Sequence, residues 1–309
     1  MRLKATIVTL LVLALAGAPI FYGLTIPAPA VTGPLPARTA SLANGETMFH
    51  IGGCASCHAT PKAGSKAPSE PVRLGGGLPL STPFGAFKVP NISPDPVHGI
   101  GAWSEEAFLN AMLRGIGRNG EHLYPSFPYA SYQRMALDDV RDLFAFLKTL
   151  PPDARPSEPH ALPFPFNIRR GLGLWKRLYV DGKPFAPDPA RSAEINRGAY
   201  LVEGPGHCGE CHSPRDRLGG IVPERRFAGG RDAEGKGWVP NITPHADGLA
   251  DWSDKDIAYL LQTGTTPSGD SVGSTMADVV GNTAKLTDAD RAAIAAYLKS
   301  LPPRPGRKG

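Results

Sequence analysis

Apolar residues run almost unbroken from Ala5 to Ile26, behind the two cations Arg2 and Lys4. Wound as a helix at about 1.5 Å per residue, such a run rises roughly 30 Å, enough to cross a bilayer. The pattern predicts an N-terminal membrane anchor over residues 1–26. A cleaved secretory signal is the alternative, since Ala28-Pro29-Ala30 resembles a small-residue cleavage site. Cations ahead of the run hold that end in the cytoplasm, so the remainder of the chain faces the other side of the membrane.

Past a Pro/Ala/Thr-rich linker at 27–40, the apolar positions take up helical spacing. Leu42, Glu46 and Phe49 open a short helix. Phe108, Met112 and Ile116 form a stripe behind Ser104, a predicted N-cap, with Glu105 and Glu106 complementing the helix dipole. Val140, Leu143, Phe144 and Leu147 form the face of a helix that begins near Asp138 or Asp139 and stops at Pro151-Pro152. Between His58 and Val89, the prolines and Gly75-Gly76-Gly77 predict loop throughout. Residues 153–190 read as a Pro-rich linker or strap, with a short helix between Gly171 and Val180.

The order then repeats. Asn196-Arg197-Gly198 matches Ala43-Asn44-Gly45, Val239-Pro240-Asn241-Ile242 matches Val89-Pro90-Asn91-Ile92, Trp252-Ser253 matches Trp103-Ser104, and Leu301-Pro302-Pro303 matches Leu150-Pro151-Pro152. Offsets between 149 and 154 throughout predict two tandem domains, 41–152 and 191–304, mainly α. Thr287 with Asp290 predicts a capping box for the last helix, whose face is Ile294, Tyr297, Leu298 and Leu301.

A length of 309 residues accommodates two such domains, each with its own core, and 36 glycines with 33 prolines imply long loops and little sheet. The net charge of +5 is spread along the chain. No basic run with interleaved aromatics occurs, so nucleic acid is not a partner.

The chemistry sits in Cys54-Ala55-Ser56-Cys57-His58 and again in Cys208-Gly209-Glu210-Cys211-His212, which hold the only four cysteines. Two thiols three residues apart with histidine directly after them form the c-type haem attachment pattern. On one helical turn Cys54 and Cys57, or Cys208 and Cys211, reach the two vinyl groups of one porphyrin. His58 and His212 then present an imidazole to iron as proximal metal ligands. Disulfides, a thioredoxin-like pair and a zinc site fit less well: the histidine would be unexplained and the pairs lie far apart. Two covalently bound haem c groups are expected, and bacteria attach them on the outer side of the inner membrane, in the periplasm.

A histidine–methionine pair raises the potential and leaves iron no open position. Besides Met1 the chain has Met48, too near Cys54, and Met112, on a helical stripe. Met276, in the Gly273-Ser274-Thr275 loop, is the expected sixth ligand of the second haem. Elimination leaves Met135 for the first, with His122 or an open iron as alternatives; Met135 aligns with Leu286 and could equally be packing.

These motifs, together with Tyr124-Pro125-Ser126-Phe127-Pro128-Tyr129, resemble the cytochrome c subunits of membrane-bound alcohol- and gluconate-type dehydrogenases over residues 40–304. The resemblance implies two class I-like cytochrome c domains that relay electrons from a dehydrogenase catalytic subunit toward a quinone or terminal oxidase, without catalysis of their own. It also implies two departures. Such subunits often carry three haems, and many place the sixth-ligand methionine where Phe127 stands. A dihaem peroxidase with an open first iron and a soluble periplasmic shuttle are the competing readings.

Overall fold

The computed structural model describes residues 2–61, 71–232, 235 and 237–306; within the first helix, the side chains of residues 3–5 and 7–14 fall outside the described set. That helix, α1 (Arg2–Leu24), leads into a buried Thr25. Among the described residues no helix is long and apolar enough to cross a membrane. The transmembrane expectation rests largely on Ala5 and residues 7–14, whose side chains lie outside the described residues.

The first repeat contains α2 (Leu42–Ile51), α3 (Cys54–His58), β1 (Pro79–Thr82), β2 (Gly85–Lys88), α4 (Glu105–Arg114), α5 (Tyr129–Tyr132) and α6 (Leu137–Leu147). After α7 (Leu172–Tyr179), the second contains α8 (Ala193–Glu203), α9 (Gly209–His212), β3 (Gly230–Arg231), β4 (Trp238–Val239), α10 (Asp254–Thr263), α11 (Thr275–Thr283) and α12 (Asp288–Lys299). The mainly helical, twofold-repeated plan matches the pattern of apolar positions. The loop expected from His58 to Val89 is not loop throughout, because β1 and β2 pair as an antiparallel hairpin. Gly85, at φ +121°, closes its turn.

Each repeat is held by its first helix crossing its last, α2 on α6 and α8 on α12. The crossing needs glycine. A Cβ on Gly45 would lie 2.2 Å from the Asp142 carbonyl oxygen, and one on Gly198 would lie 1.8 Å from that of Ala293. Polar groups pin the same crossing. Asn44 Nδ2 donates to Asp139 and Asp142, and at the matching place Arg197 forks onto Asp290 at 2.8 and 3.2 Å.

Helix ends follow the expected chemistry with two adjustments. Ser104 caps α4 through the Ala107 amide, and Gly115 and Gly264 end α4 and α10 in the left-handed conformation. The reciprocal capping box forms at Ser253 and Asp256; Thr287 accepts from the Asp290 amide, but the Asp290 carboxylate is taken by Arg197. The expected separate cores join: buried side chains of both repeats form one cluster. Tyr200 of α8 is part of that seam, its hydroxyl bonded to Asp139 and accepting from the Ala136 amide at 3.2 Å.

Candidate haem-binding sites

Both Cys-x-x-Cys-His segments form a short helical turn, α3 and, from Cys208 into α9, its counterpart. The four thiols are free, and burial pushes Cys54 and Cys208 up to about 12 and raises Cys57 and Cys211. Thiols held protonated in this way are poor redox or nucleophilic centres. They keep the pair spacing that thioether attachment requires.

The histidines are set by a contact that the linear pattern does not show. His58 Nδ1 donates to the Pro90 carbonyl at 2.8 Å, and His212 Nδ1 donates to the Pro240 carbonyl at 2.8 Å. This fixes the tautomer and leaves Nε2 as the lone-pair nitrogen that iron needs. Desolvation keeps both rings neutral, pushing His58 down to about 4 and lowering His212, against the opposing pull of the carbonyl bond.

The Val-Pro-Asn-Ile repeat exists to supply that carbonyl. Gly76 and Gly229, with φ of +67° and +78°, donate their amides back to His58 and His212 at 2.9 and 2.8 Å. A Cβ on Gly76 would come 2.5 Å from the Pro90 oxygen, and one on Gly229 2.7 Å from the Val239 oxygen. Asn91 Nδ2 then holds the carbonyls of Asp153 and Arg155, and Asn241 Nδ2 that of Arg304, tying the acceptor loop to the segment behind each Leu-Pro-Pro end. The twin motif was the available signal for Pro90, Pro240, Asn91 and Asn241, and the two glycines carried none of comparable clarity.

Cytochrome c is the family model that matches this chain, twice, over residues 42–151 and 195–302. The chain belongs to the cytochrome c family. It is 52% identical over 264 residues, 85% of this chain and 87% of the relative, to a dihaem cytochrome c-type protein of Cereibacter sphaeroides. It is also 38% identical to the fructose dehydrogenase cytochrome subunit of Gluconobacter japonicus over 97% of this chain, and 38% identical to an alcohol dehydrogenase (quinone) cytochrome c subunit of Gluconacetobacter polyoxogenes over 88% of it. The chain spans only 59% and 58% of the length of those two dehydrogenase subunits. As a dihaem member of the family this cytochrome c carries two covalently bound haem c groups. Cys54, Cys57 and His58 would hold one group and Cys208, Cys211 and His212 the other, and the groups would supply one-electron chemistry at iron.

The methionines differ between the two sites of the cytochrome c. Met276 is half-buried in the first turn of α11, two residues after Ser274 at φ +55°, and is not in the loop expected for it. Bridges Ile116–His122 and Thr265–Ser271, with Leu123 bonded to Gly115 and Val272 to Gly264, put the two repeats in one register here. In that register Phe127 occupies the place of Met276. Met135 is 2% exposed in the core, and Leu286, its counterpart before the last helix, is 6% exposed. His122 has both ring nitrogens engaged, Nε2 donating to the Thr25 carbonyl at 2.8 Å and Nδ1 accepting from Lys176 Nζ at 3.0 Å. Burial lowers its pKa and carries Lys176 down to about 7.

The fold brings the two haem turns against each other. Ser131 of α5 donates to Glu210, inside the second turn, at 2.6 Å, and Asn282 of α11 donates to Ser56, inside the first, at 2.9 Å. Each turn is therefore gripped, through a residue between its cysteines, by the distal segment of the other repeat. His207 Nε2 donates to the Gly52 carbonyl at 3.3 Å, and its ring meets Tyr132 edge-on with centroids 5.5 Å apart.

Proposed function

We propose that this cytochrome c relays single electrons between the catalytic subunit of a periplasmic dehydrogenase and the respiratory chain, through a quinone or a terminal oxidase. The reciprocal grip between the two Cys-x-x-Cys-His turns carries the proposal, because adjacent haem turns in one rigid core suit an electron passing from one iron to the other. Relatives that are cytochrome subunits of fructose, alcohol and gluconate dehydrogenases support a non-catalytic partner role. The same reading anchors the chain in the bacterial inner membrane by α1, with both haem domains in the periplasm. The apolar run behind Arg2 and Lys4 supports it, as does the exposure of Leu15, Ile20, Tyr22 and Leu24 at the described end of that helix.

In this reading Met276 would hold the iron of the second haem together with His212, and Met135 that of the first together with His58. Phe127 has no donor atom, and His122 is committed to Thr25 and Lys176. An iron held by both a histidine and a methionine would have no position to offer peroxide. The test is the methionine–iron charge-transfer absorption of the oxidised protein. Met276→Leu and Met135→Leu each remove one haem's share, and the double variant removes it all. A high-spin spectrum from one haem of the unaltered protein, with peroxide turnover, overturns the carrier reading in favour of a peroxidase.

A further inference from the structure

The segment between the repeats does not behave as a spacer. A single 3-10 turn, Arg169–Gly171, opens α7, and together they receive the end of α1. A Cβ on Gly173 would lie 2.6 Å from Thr25 Cα, so the two backbones are in direct contact. Two arginines add to the bonds at the end of α1: Arg170 NH2 donates to Tyr22 O at 3.1 Å, beside the Thr25 amide, and Arg177 Nε donates to Leu24 O at 2.7 Å. Arg170 Nε also bonds Thr25 Oγ1, its guanidinium lies 4.2 Å over the Tyr22 ring, and Arg169 bonds the His122 carbonyl.

Around this junction several large apolar side chains are exposed. Phe164, Phe166, Ile168, Leu174 and Leu178 are between 39% and 77% exposed, although they lie within fifteen residues of one another. Leu218 extends the patch, since its carbonyl accepts from Trp175 Nε1 and its side chain is exposed. Phe166 meets Phe84 edge-on with ring centroids 5.1 Å apart, and a Cβ on Gly219 would lie 3.2 Å from the Phe84 ring, which brings the strap beside the Leu218 loop. Large apolar groups gathered in this way mark a contact site, where single ones are ordinary. Among the described residues the bonds of Arg169, Arg170 and Arg177 go to carbonyls and a hydroxyl, none to a carboxylate. Each guanidinium has five N–H donors and uses one or two of them, so donors remain for phosphate.

We infer that residues 163–178 form a membrane-facing platform, with Phe164, Phe166, Ile168 and Leu178 entering the interfacial layer and Arg169, Arg170 and Arg177 meeting anionic phospholipid headgroups. This rests on the anchored reading of α1, whose exit point the platform surrounds. Aromatic and aliphatic side chains beside arginines at the mouth of an apolar helix have the composition of a bilayer interface. The charge favours anionic lipid over a neutral surface. The platform would hold the two haem domains at a fixed tilt to the membrane, which a single helix cannot do.

The test uses the full chain reconstituted in nanodiscs of phosphatidylethanolamine and phosphatidylglycerol, with a diazirine in the upper acyl chain, and adducts mapped by mass spectrometry. Adducts in both α1 and 163–178 are expected. Adducts in α1 alone overturn the platform and leave the anchor standing. Adducts in 163–178 alone sink the anchor and keep the platform as a surface contact, and adducts in neither sink both. The exposed triple variant Phe164→Ser/Phe166→Ser/Ile168→Ser should lose adducts at the strap with those in α1 unchanged; equal labelling overturns the proposal. Arg177→Gln should lower strap labelling by up to about fivefold, the factor for about 1 kcal/mol per surface arginine. Replacing phosphatidylglycerol by phosphatidylcholine without effect overturns the commitment to anionic lipid.

Discussion

Replacing Gly198 by alanine isolates the crossing of α8 on α12. Alanine is the better helix former by about 1 kcal/mol, so propensity alone predicts a more stable protein. The structure predicts the reverse. The new methyl would stand 1.8 Å from the Ala293 carbonyl oxygen, 2.5 Å from its carbon and 2.8 Å from Tyr297 Cβ. Ordinary contact begins near 3.4 Å, and two of the three obstacles are backbone, which no rotamer change can move aside. The helices must part by more than an ångström, at the upper end of overpacking costs, about 3 kcal/mol. The net loss is then about 2 kcal/mol, or about 5 °C in the melting temperature of the joined two-repeat core. Gly45→Ala, with a 2.2 Å approach to Asp142 O, should lose somewhat less. Gly281→Ala in α11 is the control: nothing lies within 4 Å of its Cβ, and it should be neutral or stabilising. Thermal unfolding followed by far-ultraviolet circular dichroism on haem-loaded protein reads all three. Should Gly198→Ala melt with Gly281→Ala, the crossing argument is wrong.

Two further changes probe the acid response and the joint between repeats. Asp142 is held below the ordinary carboxylate range: burial alone would raise it, but bonds from Arg38, Asn44 and the Ser41 amide outweigh that. A depressed folded pKa means stability that is present above the unfolded value of about 3.8 and lost as pH falls through the folded one. Asp142→Asn should therefore cost about 2 kcal/mol at neutral pH, and the gap from the unaltered protein should close in acid; a gap independent of pH would refute the assignment. Ser131→Ala with Asn282→Ala removes both cross-repeat bonds to the haem turns, about 1 kcal/mol each, and should slow electron exchange between the haems after flash reduction. An unchanged rate would mean that the grip does not set their coupling.

The sequence by itself determined what depends on neighbours along the chain. Thiol and imidazole spacing on one turn pointed to both candidate haem sites. Apolar positions three and four apart located α4, α6 and α12, and the offsets of the motifs disclosed the duplication, because these are properties of one helix or one turn at a time. Tertiary structure decided whatever joins distant segments. The acceptor for His58 lies 32 residues on, at Pro90, and is a backbone oxygen that any residue type could offer, so the motif was visible while its purpose was not. Gly45 and Gly198 look like unremarkable helix residues until the partner helix is laid across them. Met276 stood in a Gly/Ser stretch that reads as loop, yet α11 starts there once Val280 finds a buried place. The stretch from Phe164 to Tyr179 was legible as a Pro-rich strap with a short helix; that it receives the end of α1 was not, since Arg170 and Arg177 reach carbonyls more than 140 residues away.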